Sequence, residues 1–263
     1  MALPGHPDFW GKLERARRER GTPLGLSLAV RSDRMPAPML RVDDPIFPFG
    51  KAILRAVGDR ICACAFPLMA FLAEGAAGMV AMERLMRFAP DPLPLLLDAR
   101  WRDPAAAERY ARAAFEPWGA DALTVAPEFP AEAAAAFAAY PGGAVFWWVE
   151  GPERWALAAG NARAARRKGL QAGLAVSPQA GANPAALGDL PWIAVDVQAP
   201  DHLDALAALP PPAVLFVGEP ILYASSRMDF EEAARRAAEA WRERIARCFP
   251  TPGVAPPMPE PAR

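Results

Sequence analysis

The chain has 263 residues, 53% of them hydrophobic, with 29 basic and 30 acidic side chains and a formal net charge of −1. That length buries one substantial core and fits a single α/β barrel or two small domains, and the balanced charge argues against a nucleic-acid or membrane-surface binder that works by bulk electrostatics. Cys62, Cys64 and Cys248 make no disulfide framework, no signal-peptide pattern opens the chain, and no apolar run reaches membrane length, so the sequence reads as soluble and cytoplasmic.

Phe9, Trp10, Leu13 and Ala16 recur at helical spacing over Asp8 to Arg18, which predicts an opening helix on the bottom or side of the domain. Leu24 to Val30 is the first strand. The Pro-rich segment from Arg31 to Gly50 is too long for a tight turn, and loops of that length are often lids or binding loops. A short helix over Lys51 to Val57 leads into the second strand, Ile61 to Met69, and a helix over about Ala70 to Phe88 follows, with Gly75 and Gly78 near its start.

Leu95, Leu96 and Leu97 form a third strand that ends in Asp98, Arg100 and Asp103. An amphipathic helix opens on Asp103-Pro104, with Tyr110, Ala111, Ala114, Phe115 and Trp118 on one face. Ala122 to Phe129 is a fourth strand with an Ala-rich helix over Ala131 to Tyr140. Ala144 to Glu150 is a fifth, and its helix runs from Gly151-Pro152 to Lys168. Gln171 to Pro178, Trp192 to Val197 and Ala213 to Pro220 supply strands six, seven and eight. The last helix has a capping-box pattern, Asp229 with Glu232 three residues on, and places Phe230, Ala233, Ala237, Trp241 and Ile245 on its apolar face. Residues Pro250 to Arg263 read as a disordered Pro-rich tail after a barrel over residues 1–249.

Eight short apolar strands alternating with helices predict a (β/α)8 barrel in one domain, whose chemistry gathers at the strand C-termini. A doubly wound sheet is the rival, but no G-x-G-x-x-G follows the first strand. Asp98 and Arg100, two apart on a strand, point the same way at the barrel mouth, and Asp103 lies just beyond. Two acids around a guanidinium can position an anionic or hydroxylated ligand. The bland alternatives are an ion pair closing the barrel top for Asp98 and Arg100, and a helix cap for Asp103. Cys62 and Cys64 on one strand, with no second ligand cluster, read as small core packing. Phe146, Trp147 and Trp148 read as packing on both faces of strand five, with one ring at the mouth stacking on a base as the alternative. Arg163, Arg166, Arg167 and Lys168 read as a solvated helix end.

These residues resemble the orotidine 5'-phosphate decarboxylase family, particularly its bacterial branch with longer chains. The likeness is clearest over Leu95 to Pro127, which is similar to that family's strand-three motif Asp-x-Lys-x-x-Asp. It continues in FPLMAFLAEGAAG (Phe66 to Gly78), VDVQAPDHL (Val195 to Leu203) and VGEPILYAS (Val217 to Ser225). The resemblance implies the same barrel, a homodimer in which the motif's second aspartate reaches the partner's site, and conversion of orotidine monophosphate to uridine monophosphate with no cofactor and no metal. It implies Asp98, Arg100 and Asp103 as the catalytic positions. Ala29, Phe66, Thr124, Asp196, Gln198, Gly218 and Glu219 become the ligand-binding positions.

Several of those positions depart from the pattern. Arg100 stands where the family's proton-donating lysine belongs, and a guanidinium with a pKa above about 12 does not give up its proton readily. Ala29 and Phe66 stand where the first two strands would offer an aspartate and a lysine. No glycine occurs between Gly188 and Gly218, where the resemblance implies a glycine-rich phosphate loop, and Glu219 fills the position of the phosphate-binding arginine. A carboxylate about 4 Å from a phosphate charge costs on the order of 4 kcal/mol at an effective dielectric of about 20. The expectation is therefore a decarboxylase-like barrel with lost or strongly reduced activity and a ligand-binding or regulatory role. An active decarboxylase with an altered site is the second reading. A barrel enzyme using Asp98, Asp103, Asp196 or Glu219 as base or oxygen ligand to magnesium is the third.

Overall fold

In the computed structural model, residues 8–140 and 142–249 are described, and the expected Pro-rich tail lies outside them. Eight parallel strands close into a barrel in sequence order, β8 pairing back onto β1. In chain order the elements are α1 (Phe9–Arg20), β1 (Leu24–Ser27), α2 (Ile46–Val57), β2 (Ala63–Pro67), α3 (Leu68–Ala73), α4 (Gly75–Phe88), β3 (Leu95–Trp101) and α5 (Ala107–Phe115). They continue with β4 (Ala122–Val125), β5 (Ala144–Val149), α6 (Trp155–Arg167), β6 (Gln171–Val176), α7 (Pro184–Leu187), β7 (Trp192–Val197), α8 (Asp201–Leu206), β8 (Leu215–Val217), α9 (Glu219–Leu222) and α10 (Phe230–Cys248). The predicted barrel is thus observed. No helix among the described residues is long and apolar enough to cross a membrane.

The floor is built by α1. Asp8 caps it by accepting from the Gly11 N–H at 2.7 Å, and Gly21, with φ +63, ends it in the left-handed region that glycine enters without a Cβ penalty. Its Phe9 and Trp10 rings meet Phe146 of β5 edge-on at 5.5 and 5.7 Å, which plugs the lower end of the barrel.

Some boundaries differ from the sequence expectation for identifiable reasons. Helix α2 starts at Ile46 rather than Lys51, because Ile46, Phe49 and Gly50 face the core, so the loop after β1 is five residues shorter at its C-terminal end than predicted. Strand β1 stops at Ser27, and β8 covers only Leu215–Val217. The helix expected over Ala70–Phe88 is two helices. Gly75, with φ +68, breaks the run, and α4 then crosses so close to α3 that a Cβ on Gly78 would lie 2.2 Å from the Phe71 carbonyl oxygen. The Ala-rich stretch forms a 3-10 turn over Ala133–Ala139 rather than an α-helix. Asp229 does not cap α10: its carboxylate accepts from the Ser225 hydroxyl at 2.6 Å, so the capping box fails, and Ala238 rather than Ala237 is fully buried. Of the expected solvated helix end, Arg166, Arg167 and Lys168 are exposed, whereas Arg163 is half-buried and donates to the Ala186 and Leu187 carbonyls at 2.8 and 3.2 Å.

The ladder shifts register in two places, between Leu97 and Trp101 on β3 and between Ala194 and Val197 on β7. Inside those irregularities Arg100 and Asp196 adopt φ values of +51 and +58. A left-handed backbone at a residue with a Cβ costs on the order of 1–3 kcal/mol and persists only where surrounding bonds hold it. Both residues lie at the mouth.

Candidate active site

Asp98 is the last β3 residue in register with β2, and its carboxylate is buried at the barrel top. Thr124 of β4, fully buried, donates to Asp98 Oδ1 at 2.7 Å and accepts the Arg100 backbone N–H at 3.0 Å, so one hydroxyl ties the bulge to the carboxylate. The Arg100 side chain folds back on Asp98 with two prongs, Nε at 3.0 Å from Oδ1 and Nη2 at 2.8 Å from Oδ2. The same Nη2 reaches across the mouth to Asp196 Oδ1 at 2.7 Å. The guanidinium carbon lies 4.0 Å from the centre of the Trp148 ring, a cation–π contact.

This arrangement sets the charges. Burial alone would lower the Arg100 pKa, but the Asp98 and Asp196 carboxylates outweigh it and push the guanidinium above its ordinary value. Loss of solvent raises the Asp196 carboxyl above the usual carboxylate value; Arg100 pulls it back and Asp98 adds to the rise. The Trp148 indole N–H, itself buried, lies near enough to lower it slightly without a well-formed hydrogen bond.

A second cluster sits beside the first. Gln198, two residues past Asp196, accepts the Glu219 backbone N–H at 3.0 Å, and its own N–H donates to His202 Nδ1 at 3.1 Å. The Glu219 carboxylate is not left facing an empty anion seat. Each oxygen accepts from a different arginine, Arg31 and Arg34, both at 3.1 Å. Arg31 is also gripped by Asp33 at 3.0 and 2.7 Å. The Tyr223 hydroxyl accepts the Arg31 backbone N–H at 2.8 Å, the Arg34 guanidinium lies 4.9 Å over the Tyr223 ring, and burial pushes that phenol up to about 12. The loop after β1 is therefore strapped to the segment that follows β8.

The expected residues are distributed as follows. Asp98, Arg100, Thr124 and Asp196 form one bonded unit, and Gln198 and Glu219 join the second. Gly218 approaches the Ser27 backbone so closely that a Cβ there would lie 3.3 Å from its carbonyl oxygen. Ala29 lies beyond the end of β1, offering its carbonyl to Tyr223, and Ser27 is the residue at the strand end. Phe66 is fully buried with its ring 6.3 Å from that of Phe71. Asp103 caps the turn over Pro104–Ala106, accepting the Ala105 N–H at 2.9 Å, and does not join the cluster.

No lysine reaches the mouth: Lys12 pairs with Asp121 near the floor, Lys51 sits over the Phe47 and Phe88 rings, and Lys168 pairs with Glu132. Cys62 and Cys64 are buried free thiols; burial raises Cys62 to about 12. Among the described residues no three His, Cys, Asp or Glu side chains converge to hold a metal ion. Sequence reasoning missed Arg31 and Arg34; their spacing just after a strand end was the available signal. Two surface cavities of about 580 and 590 Å³ lie elsewhere, one beneath α1 around Arg17 and Thr22, the other between α5 and the 133–139 turn.

No family model matches the sequence. The chain is 30% identical to an orotidine 5'-phosphate decarboxylase of Thermomicrobium roseum over 91% of its length and 95% of that protein's. It is also 30% identical to one of Herpetosiphon aurantiacus over 89% and 96% of the two chains. Among solved structures the OMP decarboxylase of Leishmania donovani superposes with a TM-score of 0.70 at 20% identity, covering 92% of this chain and 98% of that one. A likeness that covers 91% of the chain, on an eight-stranded closed barrel, leaves one conclusion: the chain belongs to the orotidine 5'-phosphate decarboxylase family.

Proposed function

We propose that this chain keeps the family's barrel mouth as a small-molecule site but has lost, or largely lost, the decarboxylation of orotidine monophosphate, and acts as a binding or regulatory protein in homodimeric form. One observation carries the reading: the cation at the centre of the mouth is Arg100, clamped by Asp98 and Asp196. Decarboxylation leaves an electron pair on the ring carbon, and a proton must be delivered there as carbon dioxide departs. A guanidinium raised above its ordinary pKa and committed to two carboxylates is a poor donor, and general-acid catalysis is worth about 10²–10⁴-fold.

The second reading, an active orotidine 5'-phosphate decarboxylase with an altered site, is the one the relatives' names favour, since the full-length relatives named above carry that name. An assay of orotidine monophosphate turnover by loss of orotate absorbance separates the two. The first reading expects no turnover near ordinary enzyme rates. Turnover at such rates, abolished by Asp98→Asn, establishes the second.

A further inference from the structure

We infer that the mouth selects a ligand that carries neither phosphate nor carboxylate, an uncharged nucleoside rather than a nucleotide, and that Asp196 and Glu219 are its specificity-determining residues. This rests on the reading of the mouth as a small-molecule site.

The argument is one of charge. The first cluster holds one guanidinium, Arg100, against two carboxylates, Asp98 and Asp196. The second holds Arg31 and Arg34 against Asp33 and Glu219, and Glu74 lies beside it, accepting the Ser32 backbone N–H at 3.0 Å. Gln198, bonded to Glu219, stands two residues along the chain from Asp196. Every guanidinium in this network already faces a carboxylate, and the acids outnumber the bases. At the neighbouring rim, Glu128 and Glu153 meet Arg154, with Arg102 3.9 Å from Glu128, so that corner supplies no surplus cation. A carboxylate entering beside Arg100 must share it with two others in a partly desolvated place, where like charges repel most strongly. A phosphate approaching Arg31 and Arg34 must first displace Glu219.

The open valences point the same way. Asp196 is bonded through Oδ1 only, and its side chain is 37% exposed, so it presents an acceptor to the mouth. The Gln198 amide nitrogen faces the space above Gly218, while its oxygen is engaged by Glu219. A free carboxylate acceptor on Asp196 and an amide donor on Gln198, two residues apart in the chain, suit hydroxyls and ring N–H groups, which a nucleoside supplies. Because Arg31, Arg34 and Glu219 are each more than a third exposed, salt screens the second cluster, and the discrimination against phosphate narrows as ionic strength rises.

The test is calorimetric titration of the full chain with uridine, uridine monophosphate and orotidine monophosphate, repeated with Glu219→Gln and Asp196→Asn after circular dichroism has verified that both variants fold. The expected result is that uridine binds at least about tenfold more tightly than either nucleotide. Glu219→Gln then improves uridine monophosphate relative to uridine by about tenfold, and Asp196→Asn improves orotidine monophosphate relative to uridine monophosphate. Nucleotides binding as tightly as uridine, or ratios unmoved by both substitutions, overturn the charge argument while leaving the mouth a binding site. Failure of all three compounds to bind overturns the binding reading itself.

Discussion

At the scale of single residues, Arg100 and Thr124 determine what the mouth is. Asp98 is buried and both its oxygens are satisfied from these two side chains. Arg100→Met is therefore expected to destabilise the fold by about 3–5 kcal/mol, since it strands a buried carboxylate; adding Asp98→Asn recovers part of that loss, measurable by urea unfolding of the single and double variants. Thr124→Val keeps the shape but removes both an acceptor and a donor, and is expected to cost about 1–3 kcal/mol in the same measurement. Asp98, Arg100 and Asp196 were legible as mouth residues because each lies at a strand C-terminus. Their joint geometry was not, because it depends on two ladder irregularities and left-handed backbone at Arg100 and Asp196, to which the sequence carries no glycine signal.

At the scale of elements, the close crossing of α3 and α4 depends on Gly78. Gly78→Ala is expected to lower thermal stability by about 1–3 kcal/mol, because the added methyl meets the Phe71 carbonyl oxygen and backbone has to shift. The loop after β1 behaves as a strap. Its Arg31 and Arg34 guanidiniums hold Glu219, Ala37 N–H donates to the Ser226 carbonyl at 2.9 Å, and Tyr223 anchors its start. The Tyr223 phenol is raised by burial to about 12 from 10.0, so the folded state favours its protonated form. That contribution is complete below about pH 10 and is lost as pH rises towards about 12. Tyr223→Phe is expected to flatten the alkaline fall in melting temperature over that interval, and an unchanged slope refutes the anchoring role. The sequence marked this loop by its length and prolines. That it binds the end of β8 instead of standing open depends on side chains nearly 190 residues apart.

At the scale of the whole molecule, closure of the barrel is reinforced where α10 meets α2. Arg235 donates to the Ala56 carbonyl at 2.8 Å and grips Asp59 with two prongs at 2.9 and 2.8 Å. The guanidinium lowers the Asp59 carboxyl below its ordinary 3.8. The stability this pair contributes is present above that ordinary value and is lost as pH falls through the lower folded value. Melting curves of wild type and Asp59→Asn are expected to differ at neutral pH and converge in acid; parallel curves refute the linkage.

By itself the sequence determined the architecture: apolar runs of strand length, alternating eight times with amphipathic helices, have few ways to bury their faces other than a closed parallel barrel. It also determined that an arginine stands at the third strand's second polar position, because that is a matter of spacing along one strand. What only the tertiary structure decided is which charges neutralise which. Glu219, taken alone, is a repulsive carboxylate; bonded to Arg31 and Arg34 it is a closed ion-pair cluster. Electrostatic energy depends on distances through space, and those are set by the folding of the loop after β1 over strands from the far end of the chain.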